Sequence, residues 1–174
     1  MEILFETARM KVRQLKLSDL PAFHEMQHNP AVMKYVGNKT FSLDENKDDL
    51  QRVINYYSVP ENQFWVWAIV SKDTQEFLGT CALVGEEENT FEIGYRFSQK
   101  HWGNGYGLEI LNGLINFAFE NLKIEKLVAY VDVNNKASIK ILDESPLVFQ
   151  KVFYNQQESC FDRFYLLKST EFFS

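Results

Sequence analysis

The sequence predicts one α+β domain built on a mixed sheet. Three observations carry that prediction. Two segments near the N-terminus have helical periodicity. Three aromatic and β-branched segments then follow one another between residues 63 and 98, separated only by polar turns. A strand, a glycine cluster, a helix and a second strand form a βαβ unit over residues 90–132. No repeat, low-complexity tract or Pro/Gly/Ser-rich linker divides the 174 residues, so residues 1–174 form a single domain.

Taken in order, "ARMKVRQLKL" alternates Met10 and Val12 with charged neighbours and reads as the first strand. "SDLPAFHEMQHNP" is a helix with Ser18 as its N-cap, ended at Pro30. "SLDENKDDLQRVINYYS" is an amphipathic second helix that turns Leu43, Leu50, Val53, Ile54 and Tyr57 inward. Its acidic first turn suits the helix dipole. "QFWVWAIV", "FLGTCALV" and "TFEIGYRFS" are three consecutive antiparallel strands. "GLEILNGLINFAFENL" is apolar on more than one side and so predicts a helix buried on a sheet. "KLVAYVDV" is a strand, "NKASIKILDES" a short helix stopped by Pro146, and "LVFQKVFYN" and "CFDRFYLLK" two final strands. The order is β-α-α-β-β-β-α-β-α-β-β, seven strands in all.

Composition narrows the partners. A net charge of −6 argues against nucleic acid and mildly favours a cationic substrate. Cys81 and Cys160 have no CxxC spacing, so neither a zinc site nor a redox pair is expected. His24 and His28 share a helix face, but no third ligand accompanies them, and no metal is expected. The acidic start "MEILFETARM" is not a secretory signal, and "FWVWAIV" is too short to span a bilayer. A cytoplasmic protein without membrane contact is the expectation.

Gly103, Gly105 and Gly107 stand between a strand and a buried helix. Helix N-termini carry unpaired N–H groups and partial positive charge, and glycines let an anion approach the backbone. Strand, glycines, helix is therefore the architecture of a phosphate cradle. The Walker pattern needs Gly-Lys-Ser/Thr, which "GNGYGLE" lacks. The dinucleotide fingerprint needs its third glycine one residue later, and three antiparallel strands upstream do not suit a doubly wound sheet.

The run Lys100-His-Trp-Gly103-Asn-Gly105 resembles the pyrophosphate loop of the GNAT acyltransferases, Arg/Gln-x-x-Gly-x-Gly/Ala, with Lys at its first position. "TARMKVRQLKLSDLPAFHEMQHNPAVMKYVG", "FEIGYRFSQKHWGNGYG" and "VNNKASIKIL" resemble, in the same order, segments of its ribosomal-protein N-terminal (alanine/serine) acetyltransferase branch. The resemblance implies a central, mostly antiparallel seven-stranded sheet whose middle strands splay apart, and acetyl-CoA as co-substrate. It places pantetheine against the backbone of Phe97 and Ser98. It places pyrophosphate on Gly103, Asn104, Gly105, Tyr106 and Gly107, with Lys100 as a nearby cation, and a cofactor hydrogen bond on Asn135.

Acetyl transfer to an amine needs a neutral nitrogen, stabilised negative charge on the carbonyl oxygen and a protonated leaving thiol. Strand alternation puts Glu92, Gly94 and Arg96 on one face, and relatives carry a glutamate base at this strand position, so Glu92 is the candidate base. The competing reading pairs it with Arg96 or an adjacent strand. Many relatives place a tyrosine acid where this chain has Leu142, while Ser138 matches a serine of the ribosomal branch and is the second catalytic candidate. The helix that usually ends in Gly-Phe here ends in Pro146-Leu147, which predicts a changed exit beside the thioester. The expected activity is acetyl transfer to a primary amine of a protein N-terminus or a small molecule, by a monomer or homodimer. The rivals are an acyl-CoA-binding regulatory module without catalysis and a nucleotide-binding protein using the glycine loop. The acceptor pocket is expected between the two N-terminal helices and the last strand hairpin.

Overall fold

The computed structural model describes residues 2–174. Along the chain run β1 (Ile3–Glu6), β2 (Met10–Gln14), α1 (Leu20–Gln27), α2 (Pro30–Met33) and α3 (Leu43–Tyr56). Then come β3 (Phe64–Ser71), β4 (Phe77–Gly85), β5 (Thr90–Phe97), α4 (Tyr106–Glu120) and β6 (Lys126–Asp132). The chain closes with α5 (Lys136–Glu144), β7 (Val148–Asn155), β8 (Cys160–Lys168) and α6 (Ser169–Phe172). All strands join one eight-stranded sheet in the order β1-β2-β3-β4-β5-β6-β8-β7. Every neighbouring pair is antiparallel except β5 and β6.

The α+β class and the order of the seven expected strands hold, and β1 is added at the edge. Its short run carries little periodicity; what holds it is tertiary. Phe5 stacks on Phe117 of α4 at 5.0 Å. The approach is close enough that a Cβ at Gly113 would lie 2.7 Å from Thr7 Cγ2.

Two cores sandwich the sheet. Helix α4, apolar on several sides, buries Ile110, Leu111, Leu114, Ile115 and Phe117 against β3, β4, β5 and β6. The opposite face packs Ala68 and Val70 of β3 against Phe23 and Met26 of α1 and Leu50 and Val53 of α3. Trp65 and Trp67 stack 5.9 Å apart, and Trp65 also stacks on Phe91, so these rings belong to the α4-side core.

Several local expectations are corrected. Asp19, not Ser18, precedes α1, and Pro30 opens α2 instead of ending the first helix. Proline suits a first helical turn because its missing N–H has no partner there in any case. Leu43 is the first residue of α3 and points to solvent at 51% exposure, because the core begins one turn later. Ser42 is the N-cap of α3 and forms a capping box with Glu45.

At the end of α5 the expected change at Pro146-Leu147 takes a definite form. Ser145, just before the position where a left-handed glycine is usual, closes the helix with its side chain: its Oγ donates to the Leu142 carbonyl (2.8 Å) and accepts from Leu147 N–H (3.2 Å). Its extended ψ of 172° is the conformation a residue before proline favours. Leu147 is 4% exposed, in the core.

Candidate active site

The sheet opens where β5 meets β6. These strands pair only over Thr90–Glu92 and Lys126–Val128. Beyond that point β5 continues to Phe97 beside β4 alone. The Ser98 N–H donates to the Leu78 carbonyl of β4 at 3.0 Å. Antiparallel alternation then turns the peptide groups of Ile93, Tyr95 and Phe97 away from β4, toward the β6 side. The Phe97 carbonyl accepts a bond from Trp102 Nε1 (3.0 Å). The Ser98 N–H is thus engaged within the sheet, and the β5 backbone groups that face the gap are those of Tyr95 and the N–H of Phe97.

The glycine loop joins this edge to α4. Gly103 and Gly105 have φ of +76° and +75°, the left-handed region that side chains disfavour. Gly105 is the N-cap of α4 and offers no side chain to its N–H groups. Among the described residues, no hydrogen bond engages the backbone N–H of residues 103–108. Gly107 is glycine for a different reason. A Cβ there would lie 2.6 Å from Ile141 Cδ1 and 3.4 Å from Tyr95 Cε2, so it lets α5 and β5 approach α4.

Two cations stand near this loop, each paired with an acid. Lys100 Nζ is 2.9 Å from Glu76 and 3.9 Å from Glu25. Arg9, from the β1–β2 turn, reaches the loop itself. Its Nη1 donates to the Asn104 carbonyl (2.8 Å), its Nε to Glu109 (2.6 Å), and its guanidinium lies 4.5 Å from the Tyr106 ring centre. Sequence reading missed Arg9 because 95 residues separate it from its loop partner. No local signal marks such a contact.

On the face away from α4, Glu92 is mostly buried and, among the described residues, has no ion pair or hydrogen-bond partner. Arg96, its neighbour on that face, donates to Gln27 of α1 (2.6 Å), so the expected structural pairing is absent. Burial, with Glu86 and Asp162 adding negative charge, raises the Glu92 carboxyl to about 7. A carboxyl with that proton affinity exchanges protons near neutral pH. Tyr130 of β6 stands on the same face, stacked on Phe164 at 5.4 Å and edge-on to Phe153 at 5.9 Å. Its hydroxyl donates to Glu86 (3.1 Å). Glu92 thus shares its face with acidic side chains and with Tyr130, which itself packs on Phe153 and Phe164.

Asn135 is the N-cap of α5, accepting from Ser138 N–H (3.2 Å) through Oδ1. Its side-chain N–H₂ has no partner among the described residues. Ser138, half-buried, stands one turn in, beside the hydroxyl of Tyr95. His24 and His28, with ring centres 5.0 Å apart, are engaged with Asn46 and the Phe41 carbonyl.

A sheet opened beside an uncapped helix N-terminus, with an unpaired carboxyl on the neighbouring strand segment, is the arrangement expected of an acyltransferase. The chain matches the acetyltransferase (GNAT) domain family over residues 9–145 and belongs to that family. It is 33% identical over 153 residues to p20, an uncharacterised N-acetyltransferase of Bacillus licheniformis, covering 87% of this chain and 84% of the relative. Its fold is similar to that of a ribosomal L7/L12 alpha-N-protein acetyltransferase bound to coenzyme A, with TM-score 0.81 and 18% identity over 96% of this chain and 98% of that one. It is also similar to spermidine N-acetyltransferase from Vibrio cholerae in complex with CoA and spermine, with TM-score 0.80 and 17% identity over 95% and 98% of the two chains. The chain is a GNAT-type N-acetyltransferase, and the family uses acetyl-CoA. The residues present fit that molecule: free N–H groups and left-handed glycines would suit a pyrophosphate, and the backbone edge of β5 beside the gap would suit the amides of pantetheine. Among the described residues no helix is long and apolar enough to cross a membrane.

Proposed function

We propose that the enzyme acetylates a small amine carrying more than one positive charge, with Glu92 as its general base. The carrying observation is Glu92 itself, a carboxyl without a cationic partner, near Glu86, Asp162 and Tyr130, whose ring packs on Phe153 and Phe164. Such surroundings attract an ammonium group by charge and by ring quadrupole. The net charge of −6 acts in the same direction.

In this reading the backbone N–H groups of residues 103–108 and the Arg9 guanidinium hold the pyrophosphate. The side-chain N–H₂ of Asn135 holds a polar group of the cofactor at the first turn of α5. The gap beside Tyr95 and Phe97 aligns the pantetheine arm. Acetyl-CoA supplies the acetyl group as a thioester. Glu92 removes the proton from the acceptor nitrogen, directly or through one water, so that the neutral amine reaches the acetyl carbon.

A protein N-terminus is the second reading, supported by the ribosomal-protein acetyltransferase among the fold's neighbours. Free-thiol release from acetyl-CoA separates the two. A panel of spermidine, shorter diamines, monoamines and N-terminal peptides should give the highest kcat/KM with the polycation. Highest turnover on the peptides would replace this acceptor with the second reading. Coenzyme A binding without thiol release for any amine would leave an acyl-CoA-binding module.

A further inference from the structure

We infer that Tyr95 of β5 is the catalytic acid, giving its hydroxyl proton to the sulfur of the leaving thiol. The inference rests on acetyl transfer as read above.

The Tyr95 hydroxyl is buried and has no hydrogen-bond partner. A buried hydroxyl without a partner is costly, by about 1–3 kcal/mol, and points to a ligand or a catalytic role. Its position is specific. Tyr95 lies three residues past Glu92, the last β5 residue paired to β6, so its backbone borders the open gap. Its ring runs between the first turns of two helices: Cε2 is 3.4 Å from where a Cβ on Gly107 of α4 would stand, and the hydroxyl lies beside Ser138 of α5, close enough for that side chain to ease its proton affinity downward but outside hydrogen-bond geometry.

The alternatives near this point are poor acids. Leu142 occupies the position where many relatives carry a tyrosine, and it is 5% exposed in the core. Ser138 has an aliphatic hydroxyl, a far weaker acid than a phenol. Burial holds the Tyr95 phenol at about 12, and no charged group shifts it. It therefore remains protonated across the working pH range, as an acid must.

The step balances. The acceptor nitrogen bonds to the acetyl carbon, the carbon–sulfur bond breaks, and its electron pair remains on sulfur. The ammonium proton that Glu92 removed before attack has passed to solvent; Tyr95 Oη gives its proton to that sulfur, and Glu92, again a carboxylate, takes the second proton from nitrogen. Water then returns a proton from the Glu92 carboxyl to the phenolate, and both groups are restored.

The test compares wild type with Tyr95→Phe, which keeps the ring. In ligand-free protein the melting temperature should be unchanged or higher, since the lost hydroxyl had no partner. By calorimetry, wild type should bind coenzyme A about threefold to tenfold more tightly than desulfo-coenzyme A, the size of one hydrogen bond, and Tyr95→Phe should bind the two equally. With an active amine, kcat at pH 7 should fall about tenfold to a hundredfold with KM unchanged. The loss is at the low end for acid catalysis because a thiol of pKa about 8.5 is already a fair leaving group. The defect should close above about pH 8.5, where thiolate departs unaided. An unchanged preference for coenzyme A over its desulfo analogue, or a kcat defect that ignores pH, overturns the inference. Should wild type release no thiol with any amine, the transferase reading fails instead, and the binding ratio still decides whether Tyr95 meets the sulfur.

Discussion

Replacing Glu92 with glutamine should make the protein more stable and far less active, a combination that separates a base from a structural carboxylate. Raising a carboxyl from its ordinary 4.5 to about 7 corresponds to at most about 3.5 kcal/mol, at about 1.4 kcal/mol per tenfold change in proton affinity. The sign follows from the direction. Below about pH 4.5 the carboxyl is neutral in folded and unfolded chains alike, and nothing is lost. Between about 4.5 and about 7 the unfolded chain releases the proton first, so stability falls as pH rises. Above about 7 the full cost is present. Glutamine has the same shape and no charge to bury. At pH 8, Glu92→Gln should therefore melt higher, by at most about 7–14 °C, given about 2–4 °C per kcal/mol for a chain of this size. Near pH 4 the two proteins should melt together. Meanwhile kcat/KM for an active amine should fall by about 10²–10⁴ at neutral pH, the usual contribution of a general base. The acidic limb near pH 7 should vanish from the variant's profile. Calorimetric melts at several pH values and a free-thiol assay across the same range decide the matter. A lower melting temperature in Glu92→Gln at every pH, or pH–rate curves parallel to wild type, would refute the reasoning and return Glu92 to a structural role.

Three further outcomes are expected. Gly105→Val forces a β-branched residue into φ of +75° at the N-cap of α4 and should weaken coenzyme A binding at least tenfold, about 1.4 kcal/mol, in a calorimetric titration; unchanged affinity in a folded variant would remove the phosphate-cradle reading. Asn135→Ala removes the cap of α5 and a cofactor contact together, so it should lower stability by about 1 kcal/mol and weaken coenzyme A binding by less than Gly105→Val does, whereas Asn135→Ser should restore the melting temperature alone. Asp19→Ala strands Arg13, whose guanidinium makes two bonds to Asp19 at 2.7 and 2.8 Å with both side chains about 6% exposed, and should destabilise the fold by about 3–5 kcal/mol in a denaturant titration without affecting the coenzyme A affinity of the folded protein.

Periodicity and turn chemistry made the elements legible, because strand alternation and the acidic first turn of α3 are local properties. They also put Glu92 and Arg96 on one face of β5 and Tyr95 on the other. The glycine loop was legible too, since left-handed backbone at Gly103 and Gly105 needs glycine whatever surrounds it. Only the tertiary structure decided what those faces meet. Arg96 bonds Gln27 and leaves Glu92 unpaired, which no spacing within β5 reveals. Lys100 pairs with Glu76, and Arg9 arrives at Asn104 from the other end of the chain. Tyr95 reads from alternation as one more core ring. Its missing partner becomes visible only when β5 outruns β6 and the first turns of α4 and α5 close around it. Backbone conformation is set by neighbouring residues, whereas proton affinity and ligand contact are set by whichever distant segments the sheet order brings together. Here that order inserts β8 between β6 and β7 and folds β1 back under α4.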